Sequence, residues 1–291
     1  MRGNPEFMRQ QQGFWALVRT LSEKLGYTNR SPRGVPKGSG TVKIHSVEQM
    51  AAALLDLGLS PALLLVDNQI TQLGERLQNY FAYRADILNH TVRPNLMDVE
   101  EADALFQQVS ARVSPAHFVP LPMNKQKGMM AAPAFLTGLV NMLLHEVIGD
   151  APCNYNPGQL TTFTKNGIPL RTLARRVDGA FPSTVNPIAV WEIKEYYYTT
   201  TFGSRVADGV YETLLDGLEL QELEQNEGMR AQHILIIDSH RTWWVSGKSY
   251  LCRIIDMLNM GLVTEVIFGR EVVDRIPQIA QEWIDNARKP V

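Results

Sequence analysis

Three residues of this 291-residue chain have types and spacing that could do chemistry together: Asp178, Glu192 and Lys194. Glu192 and Lys194 close the run Ala189-Val190-Trp191-Glu192-Ile193-Lys194. The apolar start of that run predicts a strand, and alternation along a strand puts Glu192 and Lys194 on one face and Ile193 on the other. Asp178 ends a second predicted strand, and a hairpin between the two would set it beside Glu192. Two converging carboxylates make a hard-oxygen pair suited to Mg²⁺, with Mn²⁺ able to substitute. A neighbouring lysine can orient water or stabilise negative charge developing at phosphorus.

The elements that must position these residues are legible in outline. Residues 14–25 repeat apolar side chains at helical spacing, and a basic Gly/Pro-rich loop over residues 26–40 follows. Ser46 and Gln49 form a capping-box pattern, as do Asp98 and Glu101 ahead of a helix over 99–113. Pro61 is read as the first turn of one long helix to about residue 88. Prolines at 115, 120 and 122 then mark a boundary near Met123. Beyond it, residues 131–148 read as a helix, 160–164 and 169–177 as strands joined by an Asn166-Gly167 turn, and 188–194 as a third strand. Helices over 204–224, 248–259 and 271–288 alternate with strands over 233–237 and 263–268. The expected fold is α/β: a mixed β-sheet core flanked by helices, behind a mainly helical N-terminal region.

This arrangement resembles the PD-(D/E)XK nuclease superfamily, which includes many restriction endonucleases. The resemblance covers roughly residues 131–268. Asp178 takes the first acid position, Glu192 the second and Lys194 the lysine, while Val177 stands where the pattern has proline. The resemblance implies a restriction-endonuclease-like core and Mg²⁺-dependent phosphodiester hydrolysis with water as nucleophile. In many members the preceding helix supplies a further acid, and Glu146 stands where a third metal ligand would fall. Double-stranded DNA is the implied partner, with a homodimer natural for symmetric duplex cutting. A type II restriction enzyme would also come with a cognate methyltransferase, of which the sequence carries no sign.

Local charge fits a phosphate-facing surface. Residues 160–205 carry six bases (Lys165, Arg171, Arg175, Arg176, Lys194, Arg205) and three acids, and residues 1–45 carry eight bases and two acids. Lys165, Arg176, Arg205, Tyr198 and Thr199 are candidate DNA contacts near the active-site strand. Arg30, Arg33 and Lys37 are further candidates on the basic loop. The acidic residues Asp208, Glu212, Asp216 and Glu219 read as a solvated helix face turned away from DNA. Gly247-Lys248-Ser249 lacks the glycine five residues earlier that a phosphate-binding loop needs, because Thr242 stands there. Trp243 and Trp244 read as packing groups.

Composition narrows the classes. With 28 Lys+Arg against 30 Asp+Glu, 45% apolar and 20% charged residues, the chain is not disordered or collagen-like. Two cysteines exclude a disulfide scaffold and a cysteine-rich zinc site, which suits a reducing cytoplasm. No membrane partner is expected: the best apolar stretch, residues 131–144, is too short to span a bilayer and contains Asn141. Residues 1–7 read as a vector-derived leader ahead of a natural Met8, standing outside the fold. Residues 8–123 are then a helical DNA-recognition or dimerisation region and 124–291 a nuclease core. Two alternatives accompany the restriction-enzyme reading. One is a defence, transposition or repair nuclease that depends on partner subunits. The other is a non-catalytic DNA-binding or assembly protein with this fold.

Overall fold

The structure, a computed structural model, describes residues 1–8, 10–29, 31–113, 119–124, 131–198 and 203–287. The N-terminal part opens with helices α1 (Gln12–Leu25) and α2 (Val47–Asp56). A short hairpin of β1 (Leu65–Val66) and β2 (Gln69–Ile70) precedes helix α3 (Gln72–Asp86). Phe14, Val18 and Leu21 of α1 pack with Met50 and Leu54 of α2 and Leu77, Tyr80 and Phe81 of α3. Ser46 and Gln49 close the capping box at α2 as their spacing predicts. The single long helix expected from Pro61 does not form. Asp67 and Asn68 take positive φ, which turns the chain into the hairpin. Thr71 then starts α3 by accepting the Gly74 N–H.

Residues 1–7 belong to the fold, against the expectation that they stand outside it. The Met1 amino group donates to the Val266 carbonyl at 2.6 Å, and Arg2 pairs with Glu265 at 2.9 Å. Phe7 is buried against Tyr80 and Tyr83, with both ring centroids 5.1 Å away. An aromatic side chain with a ready-made slot is drawn inside whatever its position in the chain.

A wide turn over Ile87–Val92 and the short α4 (Arg93–Asn95) lead to α5 (Val99–Arg112), capped by Asp98 and Glu101. Next come α6 (Phe135–Ile148) and the hairpin β3 (Thr162–Lys165) and β4 (Ile168–Thr172), turned by Asn166 and Gly167 at positive φ. The main sheet has four strands in the order β5 (Gly179–Phe181), β6 (Ala189–Glu195), β7 (Gln232–Asp238), β8 (Glu265–Phe268). The β5–β6 pair is antiparallel and the other two pairs are parallel. Helix α7 (Ser204–Glu227) connects β6 to β7, α8 (Lys248–Asn259) connects β7 to β8, and α9 (Val272–Ala287) ends the described chain.

On one sheet face, Trp191, Ile234, Ile236 and Ile267 meet α6 and α9. Ala102, Phe106 and Val109 of α5 join the same core, so the boundary expected at Met123 runs through a packed unit rather than between two. On the other face, Val190 meets Leu220 and Leu223 of α7, while Leu235 and Ile237 meet α8. Among the described residues, no helix is long and apolar enough to cross a membrane.

Candidate active site

Strand β6 sorts its side chains by alternation. Trp191 faces the apolar core, stacked on Trp283 of α9 at 5.5 Å between ring centroids. Glu192 and Lys194 face the α7 side, Glu192 fully buried and Lys194 nearly so.

Asp178 reaches them by a route other than the expected one. The strand expected over 169–177 stops at Thr172, because the Ala174 N–H donates to Glu219 on α7 instead of to a neighbouring strand. The sheet resumes with β5, where Gly179 pairs with Trp191, so Asp178 precedes a strand rather than ending one. Its N–H donates to the Trp191 carbonyl at 3.0 Å, and its Oδ2 accepts the Ile193 N–H at 2.7 Å. Asp178 therefore lies across from Glu192, as the chemistry requires. The hairpin depends on Gly179: a Cβ there would lie 1.9 Å from the Trp191 ring.

The buried Glu192 carboxylate is held by two cations. Lys194 Nζ lies 3.1 Å from Oε2, and Arg175 Nη1 lies 2.7 Å from Oε1. Both cations also reach α7. Lys194 donates to Glu212 Oε2 at 2.6 Å, and Arg175 pairs with Asp216 Oδ2 at 2.6 Å and Glu212 Oε2 at 3.4 Å. Gly209 lets α7 come this close, since a Cβ there would lie 2.7 Å from the Tyr196 hydroxyl and 3.3 Å from Lys194 Cδ. The cluster thus holds four acids (Asp178, Glu192, Glu212, Asp216) and two bases.

Burial and charge set the protonation states. Burial raises the Glu192 pKa, but Lys194 and Arg175 outweigh it and hold the carboxyl below its ordinary range. Burial works against the charge on Lys194, but Glu192 and Glu212 raise its pKa above the ordinary value, so it stays protonated. Asp178 has solvent contact at the edge of the cluster. Desolvation by the surrounding protein and repulsion from Glu192 still push it up to about 6. Burial pushes Asp216 up to about 7 against the pull of Arg175.

Sequence reasoning missed Arg175, Glu212 and Asp216 as site residues. The acidic side of α7 is not a solvated face turned away: Asp216 is fully buried, Glu212 touches both bases, and Glu219 binds the backbone of residue 174. Periodicity gave the helix, but buried apolar partners fixed its rotation. Val206, Val210, Leu220 and Leu223 point inward while Leu215 and Leu218 are exposed.

Glu146 does not join the cluster. It pairs with Arg112 at 3.1 Å on the surface. The start of α6 is fixed to the end of β6 by Thr137, whose N–H donates to Glu195 at 3.0 Å. Glu146 is nine residues farther along, roughly 13 Å at helical rise. It also lies on the sheet face opposite Glu192 and Lys194.

The expected DNA contacts divide. Lys165, Arg176 and Arg205 are exposed, Arg205 at the start of α7, where its carbonyl accepts the Tyr196 hydroxyl at 3.2 Å. Tyr198 is half-buried against the α6 core. Arg33 and Lys37 are exposed on the basic loop, while Arg30 and Thr199 lie outside the described residues. Trp243 and Trp244 are fully buried and serve packing.

No group of three or more His, Cys, Asp or Glu side chains converges as a ready metal cage among the described residues. The donor set nevertheless fits a hard cation that keeps most of its waters, which needs only one or two carboxylates. Asp178 and Glu192 are such a pair, and Glu192 Oε1 accepts no well-directed hydrogen bond although it is buried. Asp216 Oδ1 is likewise unsatisfied.

A family model described as a domain of unknown function (DUF7687) matches residues 97–283, and a second such domain (DUF7690) matches residues 1–91. The first spans more than half of the chain, which therefore belongs to the DUF7687 family. No curated protein and no solved structure matches it.

Proposed function

We propose that this DUF7687 member is a Mg²⁺-dependent DNA endonuclease with a restriction-endonuclease-like core. Its role would be that of a type II restriction enzyme, acting as a homodimer on duplex DNA with a cognate methyltransferase in the same system. The observation that carries the reading is the β5–β6 register, which sets Asp178 across from Glu192 with Lys194 on the same face. Asp178 and Glu192 would hold the cation, with Mn²⁺ able to substitute. When bound, such a cation lowers the pKa of water and neutralises charge on a phosphoryl oxygen.

The chain's own residues do the rest. Lys194, kept protonated by Glu192 and Glu212, donates its one remaining N–H to the scissile phosphate. Its charge offsets the negative charge that builds at phosphorus in the transition state. Glu212 and Glu192 fix the Lys194 ammonium from two sides, so little reorganisation is needed during the reaction.

A second reading draws support from Arg175. Its guanidinium bridges Glu192, Glu212 and Asp216, and so competes for the carboxylates that would hold a cation. A nuclease closed by such a bridge suits a defence, transposition or repair role in which a partner or a particular DNA opens the site.

The test is incubation of purified protein with long duplex DNA in Mg²⁺ and in EDTA. Discrete fragments formed only in Mg²⁺ support the restriction reading, and mapping their ends gives the site. A Mg²⁺-dependent smear supports the gated reading. Absence of cleavage, together with no Mg²⁺ or Mn²⁺ binding that depends on Asp178, overturns both in favour of a non-catalytic DNA-binding protein.

A further inference from the structure

A second cluster of charge lies past the C-terminal end of β7, and it is built differently. Trp244 is fully buried, and two cations lie over its ring: Lys248 Nζ at 4.6 Å and Arg93 Cζ at 5.5 Å from the centroid. Lys248 is only 7% exposed. Arg84, Arg253 and Arg275 have acids in Asp256, Glu23 and Glu265, and half-buried Lys43 and Arg76 donate to the Leu25 and Glu6 carbonyls. Among the described residues, Lys248 and Arg93 have no acid within ion-pair distance. Burial and the nearby Arg93 lower the Lys248 pKa below its ordinary value. A lysine held in this way, with no neutralising partner in its own chain, is stabilised by an anion from outside.

The basic loop is fastened to the same place. Trp244 Nε1 donates to the Gly38 carbonyl at 2.9 Å, and the Val42 N–H donates to Asn89 at 3.0 Å. Lys37, next to Gly38, is thereby carried toward Trp244, Arg33 lies on the same loop, and Arg241 lies in the wide turn His240–Ser246 with Trp244. All three are exposed and without an acidic partner among the described residues. An open cleft of about 580 Å³ borders the cluster, lined by Arg93 and His240 among others. Its acids are already engaged: Asp98 caps α5 and Glu101 pairs with Arg270.

The wide turn also joins this cluster to the candidate active site. Thr242 Oγ1 donates to the Tyr196 carbonyl at 3.0 Å, and Trp243 stacks on Tyr196 at 5.6 Å, two residues beyond Lys194. We propose that Arg93 and Lys248, extended by Arg33, Lys37 and Arg241, form a phosphate-binding track that holds the nucleic-acid backbone against the C-terminal end of β6, which carries Lys194. The inference rests on the nuclease reading for the class of its ligand. Trp244 is shut inside the protein, so the cluster offers no aromatic for insertion into a lipid surface, which favours a nucleic acid over a membrane.

The experiment is fluorescence anisotropy of a short labelled duplex in EDTA across a salt series, which removes cleavage from the readout. Arg93→Gln lowers the slope of log K against log salt by about one, and Arg93→Gln with Lys248→Gln by about two. Lys248→Arg keeps the wild-type slope, and so does Arg230→Gln, which alters an exposed base paired with Glu224. Arg93 is exposed, so its variant tests the track even if Lys248→Gln impairs folding. An unchanged slope and affinity in Arg93→Gln overturns the proposal. Binding of wild type to phosphatidylserine vesicles but not to the duplex overturns it as well. Absence of Mg²⁺-dependent cleavage by wild type would sink the nuclease reading while leaving this result standing, so the two failures are distinguishable.

Discussion

The two faces of β6 differ in kind although they alternate residue by residue. Trp191 and Ile193 look toward α6 and α9, where aromatic stacking and aliphatic packing fill the space. Glu192 and Lys194 look toward α7, where two bases tie the buried Glu192 and Asp216 to the half-exposed Glu212, with Asp178 at the solvent edge. Apolar burial on the first face stabilises the fold without direction or partner choice. The second face contributes less to net stability, because desolvating charges costs roughly what their pairing returns. A strand that spends one face on stability can hold reactive groups on the other within fixed register. The contrast can be broken from either side.

The largest stability effect is expected from the apolar face. Trp283→Ala removes the ring stacked on Trp191 and Phe181 and leaves a cavity, at a cost of about 3–5 kcal/mol. Urea unfolding measures it, and cleavage per folded molecule stays at the wild-type level. On the charged face, Arg175→Gln costs less, about 2 kcal/mol for the lost charged hydrogen bonds, because Asp216 can take up a proton and Glu192 keeps Lys194. Melting in EDTA should fall by that amount, and Mg²⁺ should raise the melting temperature more in this variant than in wild type. No recovery by Mg²⁺ would mean that Arg175 and a divalent cation do not compete for the same oxygens.

A smaller effect comes from pH. In the unfolded chain Asp178 and Asp216 ionise near 4. In the fold they keep their protons until about 6 and about 7. Between these limits the folded form binds more protons, so their contribution to stability falls as pH rises from about 4 to about 7. For the proposed cleavage the expected trend is opposite: a rise of about tenfold per pH unit below about 6, as Asp178 becomes ionised. A pH–rate profile beside melting curves in EDTA checks both signs, and parallel curves would contradict the assignment. The smallest effect is Glu146→Gln, for which cleavage and metal dependence are expected to match wild type.

Much of this contrast was legible before any coordinates. Alternation alone put Glu192 and Lys194 together, and the element order around β6, β7 and α8 held. Arg175 was not legible as a site residue, because it lies in an irregular segment with no period to fix its direction. Its position follows from α7, which captures the backbone at residue 174. The acidic side of α7 was not legible because opposite charges meeting across 18 or more residues leave no local signal. The resemblance to the PD-(D/E)XK pattern pointed to Glu146 as a further ligand, but only the sheet face decides which volume a side chain enters. Phe7 shows the same limit, since a polar, Gly- and Pro-containing start gave no hint of the slot between Tyr80 and Tyr83.

In the proposed reaction, Lys194 acts on the scissile phosphate from a site shared with Asp178 and Glu192. Single-turnover cleavage of a defined duplex in Mg²⁺, by wild type and by Lys194→Ala at saturating protein, tests it most directly. The account predicts a loss of about a thousandfold in rate with DNA occupancy unchanged. A Lys194→Ala rate within a few-fold of wild type would contradict it.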